Sequence, residues 1–98
     1  MEKRTPHCKL AVVRTLVDAG QVRTTRAARE GGAALGFDFD GMLAIVRSLT
    51  RADFYKSMTT HADHRVWQDV YRPATSAGKV YLKLMVVDDL LIVSFKEL

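Results

Sequence analysis

Cysteine and long apolar runs are what this sequence has least of. Cys8 is the single cysteine, so no disulfide can form within the chain, and a reducing compartment fits. No apolar run approaches the roughly 20 residues that a membrane-spanning helix requires. The charged opening MEKRTPHCK is not followed by an apolar segment long enough for a signal peptide. We therefore expect a soluble cytoplasmic protein without a membrane partner.

Internal repeats, linkers and low-complexity segments are also absent, and 98 residues suit one domain over residues 1–98. Apolar residues make up 48% of the chain, which indicates a globular protein rather than a disordered one. Lysine and arginine number 15 against 11 aspartates and glutamates, a net charge of +4. That mild excess is compatible with a nucleic acid or an acidic partner but identifies neither.

The first half of the chain has the apolar spacing of three helices, within residues 5–20, 26–36 and 37–49. Thr5 is the expected cap of the first helix and Thr25 of the second. Asp38 or Asp40 is the expected cap of the third. Two adjacent glycines, at 31 and 32, should weaken the end of the second helix.

The spacing changes to the period-two alternation of strands after Thr50. We predict strands near residues 54–59, 66–72, 79–87 and 90–96, joined by turn-rich segments. Because helices come first and strands follow, the pattern predicts an α+β fold. In that fold an antiparallel sheet carries helices packed on one face.

Alternation also predicts which side of each strand meets the helices, because successive side chains point to opposite faces. The aliphatic sides should face the helices, and they comprise Val80, Leu82, Leu84 and Val86 in one strand and Leu91, Val93 and Phe95 in the next. The other sides hold Tyr81, Lys83, Ile92 and Lys96, and in the first strand Lys56 and Met58 share a side with Phe54.

Periodicity alone does not assign the strand near 66–72, because both of its sides mix apolar and polar residues. If Gln68 and Arg72 join the open face, that face can carry five polar side chains together: Lys56, Gln68, Arg72, Tyr81 and Lys96. Lysine and arginine bind phosphate and offset charge that develops on phosphorus. Tyrosine donates a hydrogen bond or stacks on a base. Such a surface suits RNA cleavage in which the ribose 2′-OH attacks its own phosphate, because the substrate supplies the nucleophile.

Lys56 would need help to act as a base, because a lysine has a pKa of about 10.4. We expect its neighbours Arg72 and Lys96, together with partial burial, to lower that pKa. A solvated sheet face is the simpler interpretation, and the pattern alone favours it, since lysines on exposed strands often serve solubility. His61, Asp63 and His64 could suggest a metal site, but two histidines three positions apart in a turn, with no cysteine nearby, are more often surface residues.

Seven segments of the chain add a resemblance to these patterns. They are MEKRTPH, AGQVRTTR, DFDGM, DFYKSMTT, WQDVYRP, VYLK and LIVSFKE, and they run from residue 1 to residue 97. They closely resemble the MqsR (motility quorum-sensing regulator) toxins of bacterial type II toxin–antitoxin systems. The segments between, AAREGGAALG and LAIVRSLTRA, depart from that family, which leaves antitoxin affinity and target preference open.

The resemblance implies a RelE-like fold and a metal-independent endoribonuclease that cuts mRNA at GC-containing sites such as GCU, arresting translation and growth. It implies no cofactor. It also implies a cognate antitoxin of the MqsA type, with a zinc-binding and a DNA-binding domain, so that operator DNA is reached only through that partner. Two alternatives stay open: an RNA-binding translational repressor that does not cut, and a transcriptional regulator that depends on the antitoxin.

The resemblance also implies roles for particular residues. The family's active-site positions correspond to Lys56 in FYKSM, Gln68 and Arg72 in WQDVYRP, Tyr81 in VYLK and Lys96 in SFKE. We expect these five to be catalytic. Three residues near them are expected to contact RNA, namely Tyr55, Met58 and Lys83.

Overall fold

The computed structural model describes residues 1–98 and contains three helices of nine residues and a seven-stranded sheet. The helices are α1 (Leu10–Asp18), α2 (Arg26–Ala34) and α3 (Phe39–Arg47), followed by one 3₁₀ turn (Arg51–Asp53). The strands are β1 (Glu2–Lys3), β2 (Val22–Thr24), β3 (Phe54–Thr59), β4 (Trp67–Tyr71), β5 (Ala74–Thr75), β6 (Gly78–Val87) and β7 (Asp89–Glu97). None of the helices has the length or apolar character needed to cross a membrane.

The strands are ordered β1-β3-β4-β6-β7-β2, and β5 pairs with the start of β6. The α+β fold class is therefore confirmed. The sheet is mixed rather than wholly antiparallel, because β2 runs parallel to β7. The other pairs are antiparallel. β2 is followed along the chain by α2 and α3, and it forms the edge of the sheet beside the last strand, β7.

Two of the expected helix caps are present. The Thr25 hydroxyl accepts a hydrogen bond from the Ala28 N–H at 3.0 Å, and the Asp38 carboxylate accepts one from the Gly41 N–H at 2.7 Å. The predicted start of α1 at Thr5 is wrong, since the helix begins at Leu10. A tertiary contact explains the difference, because the buried carboxylate of Asp69 on β4 holds the backbone just before α1.

That contact uses both oxygens of Asp69, which is only 5% exposed. They accept hydrogen bonds from the backbone N–H groups of His7 and Cys8, each at 2.9 Å. These two N–H groups are thereby committed to β4, and Lys9 remains extended at the helix start. The segment before α1 is therefore fixed to the sheet, which also fixes the position of β1.

The core lies between the helices and one face of the sheet. Its largest fully buried side chains include Met42, Leu49, Leu82, Ile92 and Phe95. Gly31, one of the two glycines predicted to weaken the end of α2, lies in close contact with the backbone of β7. A Cβ atom on Gly31 would collide with the Phe95 carbonyl oxygen. The glycine therefore lets α2 approach the backbone of β7, and this packing offsets its low helix propensity.

A β-bulge at Val93 changes the side-chain alternation of β7. Lys83 pairs with Ser94, whereas Leu84 pairs with Ile92, so Val93 is the extra residue. Ile92 is consequently fully buried and Leu91 is half-buried. The expectation that Leu91 and Val93 face the helices while Ile92 faces outward is therefore wrong. The expectation for Phe95 and the buried side of β6 is confirmed.

A second bulge lies at Tyr55 in β3. Phe54 pairs with Tyr71, and Lys56 pairs with Val70, which leaves Tyr55 as the extra residue. The Phe54 ring packs edge-on against the buried Tyr71 ring, with centroids 5.4 Å apart. Phe54 therefore belongs to the helix side and does not share a face with Lys56, contrary to the prediction from strict alternation.

Candidate functional site

One row of side chains crosses the middle of the open sheet face. Lys56 on β3 lies opposite Val70 on β4, Val70 lies opposite Lys83 on β6, and Lys83 lies opposite Ser94 on β7. Directly opposite residues share a face, so Lys56 and Lys83 flank Val70 on the same side. Val70 is fully buried yet lies outside the helix-side core cluster. The centre of this face is thus an apolar floor with a lysine on each side.

The other predicted residues lie in the rows next to this one. Met58 pairs with Gln68 on one side, and Tyr81 pairs with Lys96 on the other. The Gln68 side-chain nitrogen also reaches the Met85 sulfur at 3.9 Å. The cross-strand register therefore brings residues from four strands to one surface.

Two tyrosine rings organise the cations of this surface. The Arg72 guanidinium carbon lies 3.7 Å from the centroid of the Tyr55 ring, and Lys56 Nζ lies 5.4 Å from it. The Tyr81 ring has Lys96 Nζ at 5.3 Å and Lys83 Nζ at 5.7 Å. These are cation–π distances, which hold the charges in place without neutralising them.

The bulge at Tyr55 brings the Tyr55 ring to the side of the sheet that holds Lys56 and Arg72. Without the extra residue, Tyr55 would alternate to the side opposite Lys56. In the structure its ring is close to Arg72 and also to a third cation, Arg4, whose guanidinium carbon is 5.5 Å from the centroid. All eight predicted site residues therefore lie on or beside the open face, which we call the cationic face.

Lys56 forms the one ion pair on the cationic face. Its Nζ donates to Glu2 Oε2 at 2.7 Å, and only 18% of its side chain is exposed. The hydrogen bond that Lys56 donates to Glu2, together with the Glu2 charge, raises the pKa of Lys56 above its ordinary value, although partial burial opposes the rise. The sequence-based expectation of a lowered pKa is thus contradicted, because a carboxylate contacts Lys56 more closely than any cation does.

Glu2 is the site residue that sequence reasoning missed. It pairs with Met58 through β1, which lies at the edge of the sheet next to β3. A strand of two residues has no periodicity to detect, so no local pattern could have revealed it. The only available signal was the charged opening MEKR, which is also typical of a solvated terminus.

The remaining cations of the face have no carboxylate partner. The five ion pairs of the chain are Arg23–Asp89, Arg26–Glu30, Arg47–Asp18, Lys56–Glu2 and Arg65–Asp63. Arg72, Lys83 and Lys96 appear in none of them. Unpaired cations on one surface attract a polyanion and position its phosphates.

Comparison with known proteins identifies the family of this chain. The family model described as "Motility quorum-sensing regulator, toxin of MqsA" matches residues 5–97. The chain belongs to the MqsR toxin family. A curated relative from Escherichia coli (strain K12), named mRNA interferase toxin MqsR, is 61% identical over 97 residues, which cover 99% of each chain. The resemblance seen in the sequence is therefore confirmed over nearly the whole length.

In this member of the MqsR family the cationic face is not an enclosed pocket. Two surface cavities are present, and none of the eight predicted residues lines either one. The larger, of about 380 Å³, is lined by Thr5, Pro6, Lys9, Leu10 and Arg51. A face without a deep cavity suits an extended single strand of nucleic acid more than a small molecule, because small molecules are usually bound in concave sites.

The remaining polar clusters of this MqsR-family chain have structural partners. The Asp63 carboxylate accepts hydrogen bonds from the Arg65 side chain and backbone. No group of three or more His, Cys, Asp or Glu residues is close enough together to hold a metal ion. Trp67 is covered by Lys3, whose Nζ lies 4.1 Å from its centroid, and by the stacked ring of His7.

Proposed function

We propose that this protein is an endoribonuclease toxin that cleaves mRNA and thereby arrests translation and growth. The observation that carries the proposal is the cationic face, where four cations, of which only Lys56 has a carboxylate partner, lie around an apolar floor and two tyrosine rings. Ser94 lies in the central row of that face, but its side chain makes no hydrogen bond to a group that could activate it as a nucleophile, so in the proposed reaction the attacking group comes from the substrate. RNA supplies one in its 2′-OH. The printed name of the relative from Escherichia coli, an mRNA interferase toxin, supports the same reaction.

In the proposed reaction the 2′ oxygen attacks the adjacent phosphorus and displaces the 5′ oxygen of the next nucleotide. Arg72 and Lys96 bind the non-bridging phosphate oxygens and offset the charge that grows on them. Lys83 adds a third cation in the central row. Tyr55, Tyr81, Met58 and Gln68 position the flanking nucleotides by stacking and hydrogen bonding.

Lys56 acts in this scheme as a phosphate clamp rather than as a base. With a pKa of about 10.4, only about one lysine in 2,500 is neutral at pH 7. Glu2 raises the pKa of Lys56, so the neutral fraction is smaller still. A group that is almost always protonated can stabilise an anion but cannot accept a proton.

Finer features of the proposal rest on family membership. We propose cleavage at GC-containing sites such as GCU, activity without a metal, and action in the cytoplasm. We also propose neutralisation by a zinc-binding, DNA-binding antitoxin of the MqsA type, because the family is described as the toxin of MqsA. Operator DNA would then be contacted only through that antitoxin.

The test is cleavage of an RNA oligonucleotide that contains one GCU, incubated with purified protein in excess EDTA. We expect a product with a 2′,3′-cyclic phosphate, and no cleavage when the nucleotide before the cut carries deoxyribose. The Lys56→Ala variant should cleave about 10²–10³-fold more slowly, the usual loss when one donor to a developing oxyanion is removed. Lys9→Ala is the matched control, because it removes an exposed lysine outside the cationic face.

Two results would argue against the proposal. A gel shift with intact RNA would favour a translational repressor that binds without cutting. Full activity of a folded Lys56→Ala variant would show that the cationic face is not the reaction site.

A further inference from the structure

Glu2 is an anion in a surface that otherwise suits phosphate. It is the single carboxylate that forms an ion pair or a side-chain hydrogen bond with any of the eight predicted residues. A negative charge beside a phosphate site weakens RNA binding through like-charge repulsion. The position of Glu2 next to Lys56 therefore needs an explanation other than affinity for RNA.

The proposed reaction lacks one component that Glu2 can supply. Cleavage by the 2′-OH needs a group that accepts the hydroxyl proton. Lys56, Arg72, Lys83 and Lys96 are cations, which have no free lone pair at neutral pH. The carboxylate of Glu2 is an acceptor with several lone pairs, and its Oε2 atom lies 2.7 Å from Lys56 Nζ.

We propose that Glu2 is the general base that takes the proton from the 2′-OH of the RNA. This inference rests on the proposed ribonuclease function. Lys56 then has two partners: it orients the Glu2 carboxylate and clamps the phosphate that the 2′ oxygen attacks. An adjacent carboxylate and ammonium thus divide proton acceptance and charge stabilisation between them.

Several contacts hold Glu2 in place for this role. The β1–β3 pairing sets Glu2 opposite Met58 and Lys3 opposite Ser57. The Thr59 N–H donates to the Met1 carbonyl at 3.0 Å and extends this pairing. Asp69 anchors the following segment through His7 and Cys8. The carboxylate is therefore carried by a strand that is fixed at both ends.

The charges around Glu2 keep it ionised. The hydrogen bond from Lys56 lowers the pKa of Glu2, and the charges of Lys56, Arg4 and the N-terminal ammonium act in the same direction, while slight burial opposes them. The carboxylate is thus available as an acceptor throughout the neutral range. About half of its side chain, 52%, is exposed, so it can release the proton to water after each turnover.

The step balances in atoms and protons. The 2′ oxygen forms a bond to phosphorus as its proton passes to Glu2, and the bond from phosphorus to the 5′ oxygen breaks. The departing 5′ oxygen takes a proton from water. The products are a 2′,3′-cyclic phosphate and a 5′-OH, and Glu2 returns its proton to the solvent.

The experiment compares Glu2→Gln, Glu2→Asp and the wild-type protein in single-turnover cleavage of the GCU oligonucleotide. Glu2→Gln keeps the shape and a carbonyl acceptor for Lys56 but removes the base. We expect its maximal rate to fall about 10²–10⁴-fold, whereas KM stays the same or decreases because a negative charge is gone. Glu2→Asp should retain part of the activity, because it keeps a carboxylate one methylene further back.

A second substrate separates a base from other roles. Replacing the 5′ oxygen by sulfur gives a leaving group that needs no proton, so it rescues a variant that lacks an acid but not one that lacks a base. We expect the Glu2→Gln defect to persist on this substrate. The control is Glu30→Gln, which removes an exposed carboxylate paired with Arg26 on α2 and should leave cleavage unchanged.

Three outcomes would overturn the inference: a Glu2→Gln variant as fast as wild type, a defect confined to KM, or rescue by the sulfur leaving group. Thermal unfolding of each variant shows whether it is folded. If the wild type does not cleave RNA, the proposed function fails as well. If the wild type cleaves, Lys56→Ala does not, and Glu2→Gln cleaves normally, only the role of Glu2 is refuted.

Discussion

The rate of RNA cleavage by this protein should be nearly constant from about pH 6 to about pH 9. The perturbation is simple, because only the proton concentration changes. The two groups at the centre of the site, Lys56 and Glu2, have pKa values that move apart: that of Lys56 is raised and that of Glu2 is lowered. Neither group therefore changes its charge within this interval.

The pH dependence of the cleavage rate differs greatly between Glu2 as the base and neutral Lys56 as the base. If neutral Lys56 were the base, its active fraction would grow about tenfold for each pH unit below its pKa. Over three units the rate would increase about 1,000-fold. With Glu2 as the base and Lys56 as a charged clamp, the cleavage rate should hardly change over the same three pH units.

The assay is single-turnover cleavage of the GCU oligonucleotide at several pH values. Lys56→Ala is measured beside the wild type at each pH, so that hydroxide-driven hydrolysis of RNA can be subtracted. A corrected rate that rises tenfold per unit would refute the assignment of Lys56 as a clamp. It would indicate that neutral Lys56, rather than Glu2, accepts the proton of the 2′-OH.

Two further predictions concern the stability of the scaffold. Gly31→Ala should lower the free energy of unfolding by about 1–3 kcal/mol or more, because the new Cβ would meet the Phe95 carbonyl. Gly32→Ala should cost less, since its Cβ would meet the flexible Met42 side chain, and the opposite ranking in denaturant titrations would contradict this packing. Tyr71→Phe should raise the midpoint of thermal unfolding, because the buried Tyr71 hydroxyl has no hydrogen-bond partner. The expected gain in the free energy of unfolding is about 1–3 kcal/mol. A lower midpoint would indicate that the hydroxyl does have a partner.

The parts of the fold that the sequence predicted are those set by local periodicity. The alternation of β6 is uninterrupted, so the buried positions of Val80, Leu82 and Leu84 could be predicted correctly. The caps at Thr25 and Asp38 were equally accessible, because a cap is a contact between residues three positions apart.

The errors have a different origin. The bulges at Tyr55 and Val93 each insert one residue, which strict alternation cannot anticipate. The late start of α1 depends on Asp69, which lies about 60 residues away in the chain. Long-range contacts of this kind leave no periodic signal, and the same reason explains why Glu2 escaped detection.

The placement of the candidate residues on one face was predicted better than the fold details around it. The positions of Lys56, Gln68, Tyr81 and Lys96 follow from strand alternation together with the family resemblance. The pKa of Lys56 could not be predicted, because its direction depends on the edge strand that brings Glu2 to it.

The bulge at Val93 gives β7 a tolerance of changes in length that depends on where the change is made. On the helix side of the sheet, β7 contributes Leu90 and Ile92 before the bulge and Phe95 after it. Deleting Val93 would leave Ile92, Ser94 and Phe95 in continuous alternation, with Phe95 still on the helix side. Inserting a residue between Leu90 and Ile92 would instead put these two side chains on opposite sides of the sheet and expose one of them. We therefore expect deletion of Val93 to be tolerated far better than that insertion, because the extra residue is not what keeps Phe95 in the core.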